Sequence, residues 1–94
     1  MDAMKITVYS GAHCHACDLV KEFLSREGHP FVVKQIEEDD SAYDELVKLG
    51  ARAVPTIVIA ADDAAQGDQV ITGFDQARLR TALTAAGGGS SPGR

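Results

Sequence analysis

The chain has no tryptophan and only two cysteines and three prolines among 94 residues. Two cysteines cannot build the disulfide framework of a small secreted domain. Separated by two residues, they would close only a tiny loop and staple very little. An excess of positive charge is also missing. With nine Lys and Arg against 14 Asp and Glu, the net charge is −5. That argues against a nucleic-acid surface and disfavours attachment to anionic membranes. No stretch approaches the ~20 apolar residues of a membrane-spanning helix. No basic cluster leads into an apolar run at Met1-Asp2-Ala3-Met4-Lys5, so no secretory signal is read there. There is no internal repeat. The expectation is a monomeric cytoplasmic protein that partners neither nucleic acid nor membrane.

What is present suffices for one packed domain. Ninety-four residues, 45% of them apolar, can form a core without covalent help. In a reducing compartment a close cysteine pair is more often catalytic or metal-binding than structural.

The two cysteines lie in His13-Cys14-His15-Ala16-Cys17. Before them, Ile6-Thr7-Val8-Tyr9 is a β-branched and aromatic run closed by Ser10-Gly11, which reads as a buried strand. After them, a helix is predicted from near Cys14 to about Glu27, with Cys17, Val20, Phe23 and Leu24 as its inward stripe. Asp18, Lys21, Glu22 and Arg26 would face water. Gly28 and Pro30 end the helix. Phe31 to Ile36 reads as a second strand, parallel to the first because a helix connects them. The acidic turn Glu37-Glu38-Asp39-Asp40 leads into a second helix, with Ser41 and Asp44 as a capping box. Tyr43, Leu46, Val47 and Gly50 would lie along one side of it. Thr56 to Ala60 is the third strand and Gln69 to Thr72 the fourth, joined by a loose loop over 61–68. Gly73 breaks the fourth strand. Asp75 caps a last helix to about Ala86, with Leu79, Ala82 and Leu83 inward. The Gly- and Ser-rich tail 87–94 is expected to be disordered and 1–86 to form the domain. The predicted class is therefore α/β, in the order β-α-β-α-β-β-α. A four-stranded mixed sheet would carry helices on both faces.

Cysteine position at a helix start has chemical meaning. A thiolate attacks a disulfide, and a thiol does not. Unpaired backbone N–H groups and the dipole at a helix N-terminus favour an anion there. Cys14 stands at that end, while Cys17 is one turn further in. The reading is a dithiol redox centre in which Cys14 attacks and Cys17 resolves. Two alternatives use the same residues. Both cysteines could be inert and buried. Or His13, Cys14, His15 and Cys17 could be ligands of a metal or iron–sulfur module, although no second Cys-x-x-C completes that set. A protonated His13 or His15 near Cys14 would help to hold a thiolate.

The strand, the Cys-x-x-C at a helix start, Val54-Pro55, and Gly73-Phe74-Asp75 before the last helix together resemble the glutaredoxin branch of the thioredoxin fold. The resemblance covers about residues 4–86. It implies a thiol–disulfide oxidoreductase with no bound cofactor. It also implies a cis Val54–Pro55 bond beside Cys14, with the Val54 backbone free to pair with a substrate. Carried over, the glutathione site maps onto Val54, Pro55, Gly73, Phe74 and Asp75, with Arg52. Asp75 would hold the ammonium of the γ-glutamyl group and Arg52 a carboxylate. Glutathione is the implied reductant, and protein disulfides or glutathione mixed disulfides are the implied substrates. Thioredoxin proper normally carries Trp before the first Cys and an additional N-terminal βα segment, and both are missing. The usual Pro-Tyr between the cysteines is His15-Ala16 here, and Thr-Val-Pro is Ala53-Val54-Pro55. These departures are also compatible with a neighbouring group, the small glutaredoxin-like redoxins. Those are recharged by thioredoxin reductase, and some serve ribonucleotide reductase.

Overall fold

A computed structural model describes residues 5–51, 53–60 and 68–86. The expected loop over 61–68, apart from Asp68, and the expected 87–94 tail lie outside the described residues, as does Arg52. The elements follow the expected order. They are β1 (Lys5–Ser10), α1 (His15–Arg26), β2 (Val32–Gln35), α2 (Asp40–Lys48), β3 (Thr56–Ala60), β4 (Asp68–Thr72) and α3 (Gln76–Ala86).

The sheet runs β2-β1-β3-β4. β1 is parallel to β2 and antiparallel to β3, and β3 is antiparallel to β4. Because β1 is central, five of its six residues are buried, which is why it reads as a continuous apolar run. Alternation sends Ile6 and Val8 to one face, where they meet Val20, Phe23 and Leu24 of α1 and Leu79, Ala82 and Leu83 of α3. Each large side chain buried there contributes roughly 2 kcal/mol. Tyr9 goes to the other face and packs with Ala42 and Leu46 of α2. The inward stripes expected for α1 and α3 are the ones found.

α2 differs from expectation in two ways. Its cap is Asp39 and not Ser41. The Asp39 Oδ1 accepts from the Ser41 N–H at 2.9 Å and from the Ala42 N–H at 3.4 Å, so the helix starts at Asp40. An acidic oxygen at an extended residue before the first turn serves both the orphan N–H groups and the dipole, which a hydroxyl cannot. The helix is also turned on the sheet. Tyr43 and Val47 are 52% and 53% exposed, and Ala42 and Leu46 face inward. Tyr9 explains the rotation. Its hydroxyl donates to Glu45 Oε1 at 2.8 Å, and Lys34 Nζ on β2 donates to the same oxygen at 2.8 Å. Holding Glu45 over the sheet brings Ala42, one turn before it, down onto Tyr9, together with Leu46 one turn beyond Ala42. Burial, with the Glu45 carboxylate beside it, pushes the Tyr9 hydroxyl up to about 12. The two donors, Lys34 foremost, lower the pKa of Glu45.

β2 is shorter than expected, since Phe31 and Ile36 fall outside the ladder. No helix among the described residues is long and apolar enough to cross a membrane.

Candidate redox site

Strand register builds the site. Tyr9 pairs with Thr56, and Thr56 pairs with Thr72. The end of β1, the start of β3 and the end of β4 therefore share one edge of the sheet. Three segments far apart in sequence leave from that edge. They are the loop to Cys14, the approach to Pro55, and Gly73 to Asp75. Gly73 N–H donates to the Pro55 carbonyl at 2.8 Å and ties two of them together. Gly73 has φ of +85°, a conformation that suits a residue without Cβ.

Cys14 is the N-cap of α1, with extended dihedrals of φ −112° and ψ 97°. Its sulfur accepts from the Cys17 N–H at 3.0 Å. Cys14 and Cys17 are joined in a disulfide, with Cα atoms 5.2 Å apart. Cys14 is half-buried, whereas Cys17 is 1% exposed. The outer sulfur can meet a partner; the inner one is covered by its own fold. His13 and His15 flank Cys14 and are exposed, and His13 takes a positive φ of 54°.

The Val54–Pro55 bond is cis, as the resemblance implied. Pro55 is fully buried and Val54 half-buried. Among the described residues, neither the Val54 N–H nor its carbonyl has a main-chain hydrogen-bond partner. Phe74 leans on Phe23 of α1 edge to face, with centroids 6.2 Å apart. Asp75 is exposed, and its Oδ1 accepts from the Arg78 N–H at 3.2 Å. It caps α3, as expected.

Sequence reasoning missed part of the surroundings. An open cleft of about 440 Å³ beside Cys14 is lined by Gly11 to His15 together with Asp18, Lys21 and Gln35. Asp18 and Lys21 follow Cys14 by four and seven positions, so helical spacing alone would have placed them on its face. They form an ion pair at 3.6 Å. Gly11 was read only as the end of a strand. A Cβ there would lie 3.2 Å from Val54 Cγ2 and 3.7 Å from Glu37 Oε2. The absent side chain is what lets Val54 and Glu37 close on the loop that carries Cys14. No group of three or more His, Cys, Asp or Glu side chains able to hold a metal ion occurs among the described residues.

A disulfide-forming pair at a helix start, on a four-stranded mixed sheet flanked by three helices, defines a small thiol–disulfide oxidoreductase of the thioredoxin-like fold. The glutaredoxin family model matches residues 6–63, and the chain belongs to that family. It is 36% identical over 67 residues to N-acetyl-S-hydroxy-L-cysteine reductase of Bacillus subtilis (strain 168), covering 70% of this chain and 72% of that protein. It is 37% identical over 58 residues to the glutaredoxin-like protein NrdH of Lactococcus lactis subsp. cremoris (strain MG1363), covering 62% of this chain and 78% of that one. Among solved structures, a crystal structure of a thioredoxin-like protein matches with a TM-score of 0.73 at 30% identity. That match covers 84% of this chain and 100% of the other.

Proposed function

We propose that Cys14 is the nucleophile and Cys17 the resolving thiol of a dithiol cycle working in the cytoplasm. The observation that carries this is the unequal burial of the two cysteines at the helix start. In the reduced protein, the Cys17 N–H and the α1 dipole favour a thiolate on Cys14. That thiolate attacks a substrate disulfide and forms a mixed disulfide, and the first substrate thiolate leaves with a proton from solvent. Cys17 then gives up its proton and attacks the Cys14 sulfur. The second substrate thiol leaves, and the protein is left oxidised, as in the structure described. Two electrons have passed to the substrate.

On this reading, the free Val54 main chain pairs with the substrate as an added strand, beside Pro55 and Gly73, with Phe74 as an apolar wall. His13 and His15 border the attacking sulfur. Protein disulfides and glutathione mixed disulfides are the substrates. Glutathione is the reductant read first, with Asp75 receiving its ammonium and Arg52 a carboxylate. A second reading has its own support. The similarity to NrdH proteins favours a redoxin recharged by thioredoxin reductase.

One paired assay tests both. Oxidised protein is offered glutathione with glutathione reductase, or thioredoxin reductase, with NADPH consumption followed in each. Turnover only in the second arm would remove glutathione as donor. Chemically reduced protein that opens no substrate disulfide would remove the dithiol cycle itself.

A further inference from the structure

Glu37 lies in the turn between β2 and α2; one hydrogen bond fixes that turn to the site and a second closes the turn on itself. Ile36 N–H donates to the Ser10 carbonyl at 3.0 Å, and Glu38 N–H donates to the Gln35 carbonyl at 3.2 Å. The first bond pins the turn to the end of β1, one residue before Gly11. The Glu37 carboxylate and the Val54 side chain thereby come within 4 Å of one point, the position a Gly11 Cβ would occupy. Glu37 is exposed. Among the described residues that line the cleft beside Cys14, Asp18 and Lys21 face each other at 3.6 Å and largely cancel. Glu37 is in no ion pair among the described residues, and it brings negative charge to the wall where a substrate strand would lie.

We propose that Glu37 is a specificity-determining residue that grades substrates by charge. It admits disulfides whose halves are cationic or neutral and disfavours those whose halves are anionic. The proposal rests on the reading that substrates lie against Val54 and react at Cys14. Glutathione, with two carboxylates and one ammonium, falls on the disfavoured side. A dithiol protein with a basic rim falls on the favoured one. Two unit charges about 7 Å apart in water-like surroundings change a rate roughly threefold, and salt reduces this.

The test uses the reduced full chain and three small disulfides in single turnover, read by loss of free protein thiol. Cystamine is cationic, bis(2-hydroxyethyl) disulfide is neutral, and 3,3′-dithiodipropionate is anionic. Each rate is divided by the neutral one, which removes any general change in Cys14 reactivity. Wild type is expected to react about threefold faster with cystamine and about threefold slower with the dicarboxylate, relative to the neutral reagent. Glu37→Gln should collapse both ratios toward one, as should 0.5 M NaCl, while Glu38→Gln should leave them in place. Ratios in Glu37→Gln equal to those of wild type would overturn the proposal. A wild-type protein that fails to react even with the neutral reagent would overturn the dithiol cycle, and this proposal with it.

Discussion

Cys14 is proposed to attack disulfides, and its sulfur also caps a helix. The two roles can be separated by substitution in the reduced protein. The cap is the bond from the Cys17 N–H to the Cys14 sulfur, at 3.0 Å. Serine keeps an acceptor at that place; alanine leaves the N–H without a partner. Losing an N-cap side chain costs about 1 kcal/mol. In a domain of this size, that lowers the melting temperature by roughly 5 °C. Cys14→Ala is therefore expected to melt about 5 °C below Cys14→Ser. Melting followed by circular dichroism under reductant checks this. Both variants should fail to reduce a disulfide, and neither should form a mixed disulfide at position 14. Equal melting of the two would refute the cap argument. Disulfide reduction retained by Cys14→Ser would refute the assignment of the nucleophile, with the fold shown to be intact in the same sample.

Two further substitutions probe the supports of the site. Tyr9 has its hydroxyl raised from 10.0 to about 12, so its contribution is whole below pH 10 and is lost as pH rises through 12. Tyr9→Phe should be less stable than wild type by about 1 kcal/mol at pH 8, and the gap should close between pH 10 and 12; urea midpoints that stay equally spaced would contradict this. Gly11→Ala places a methyl 3.2 Å from Val54 Cγ2, closer than it can sit undisturbed. It should lose about 1 kcal/mol of stability and several-fold in kcat/KM for a disulfide. Adding Val54→Ala should recover part of both, and a strictly additive double mutant would argue against the contact.

The order of elements and the cores of α1 and α3 were readable because each burial stripe has a single solution in the sequence. Cys17, Val20, Phe23 and Leu24 leave no second apolar face on α1, and the structure buries all four. α2 has two candidate faces that share Leu46. Helical spacing cannot choose between Tyr43 with Val47 and Ala42 with Leu46. The choice is made by Glu45 reaching Tyr9 and Lys34 across elements that are 36 and 11 residues away. The cap was misplaced for a related reason, since Asp39 and Ser41 both qualify by residue type and only the course of the chain after β2 decides. At the site, Cys14, Pro55 and Gly73 were visible as motifs because backbone geometry constrains their identity. Gly11 and Glu37 were not. Their importance lies in which distant side chain they meet, and no spacing within one segment encodes that.

This contrast separates the parts that govern the reaction from the parts that govern its partners. Under the proposed cycle, reactivity depends on an N-cap sulfur, a buried second sulfur and a segment held by the Pro55 carbonyl. All of these are set by hydrogen bonds and burial inside one sheet edge. Under the same proposal, partner choice falls to Glu37, His13 and His15, which are exposed and free to change at small cost in stability, and to Asp75, whose change also costs the cap of α3. A small-molecule donor and a protein donor demand the same chemistry at Cys14 and differ only in what they bring against that rim. Charge reversal at Glu37 should therefore shift preference among donors without abolishing the reaction with any of them.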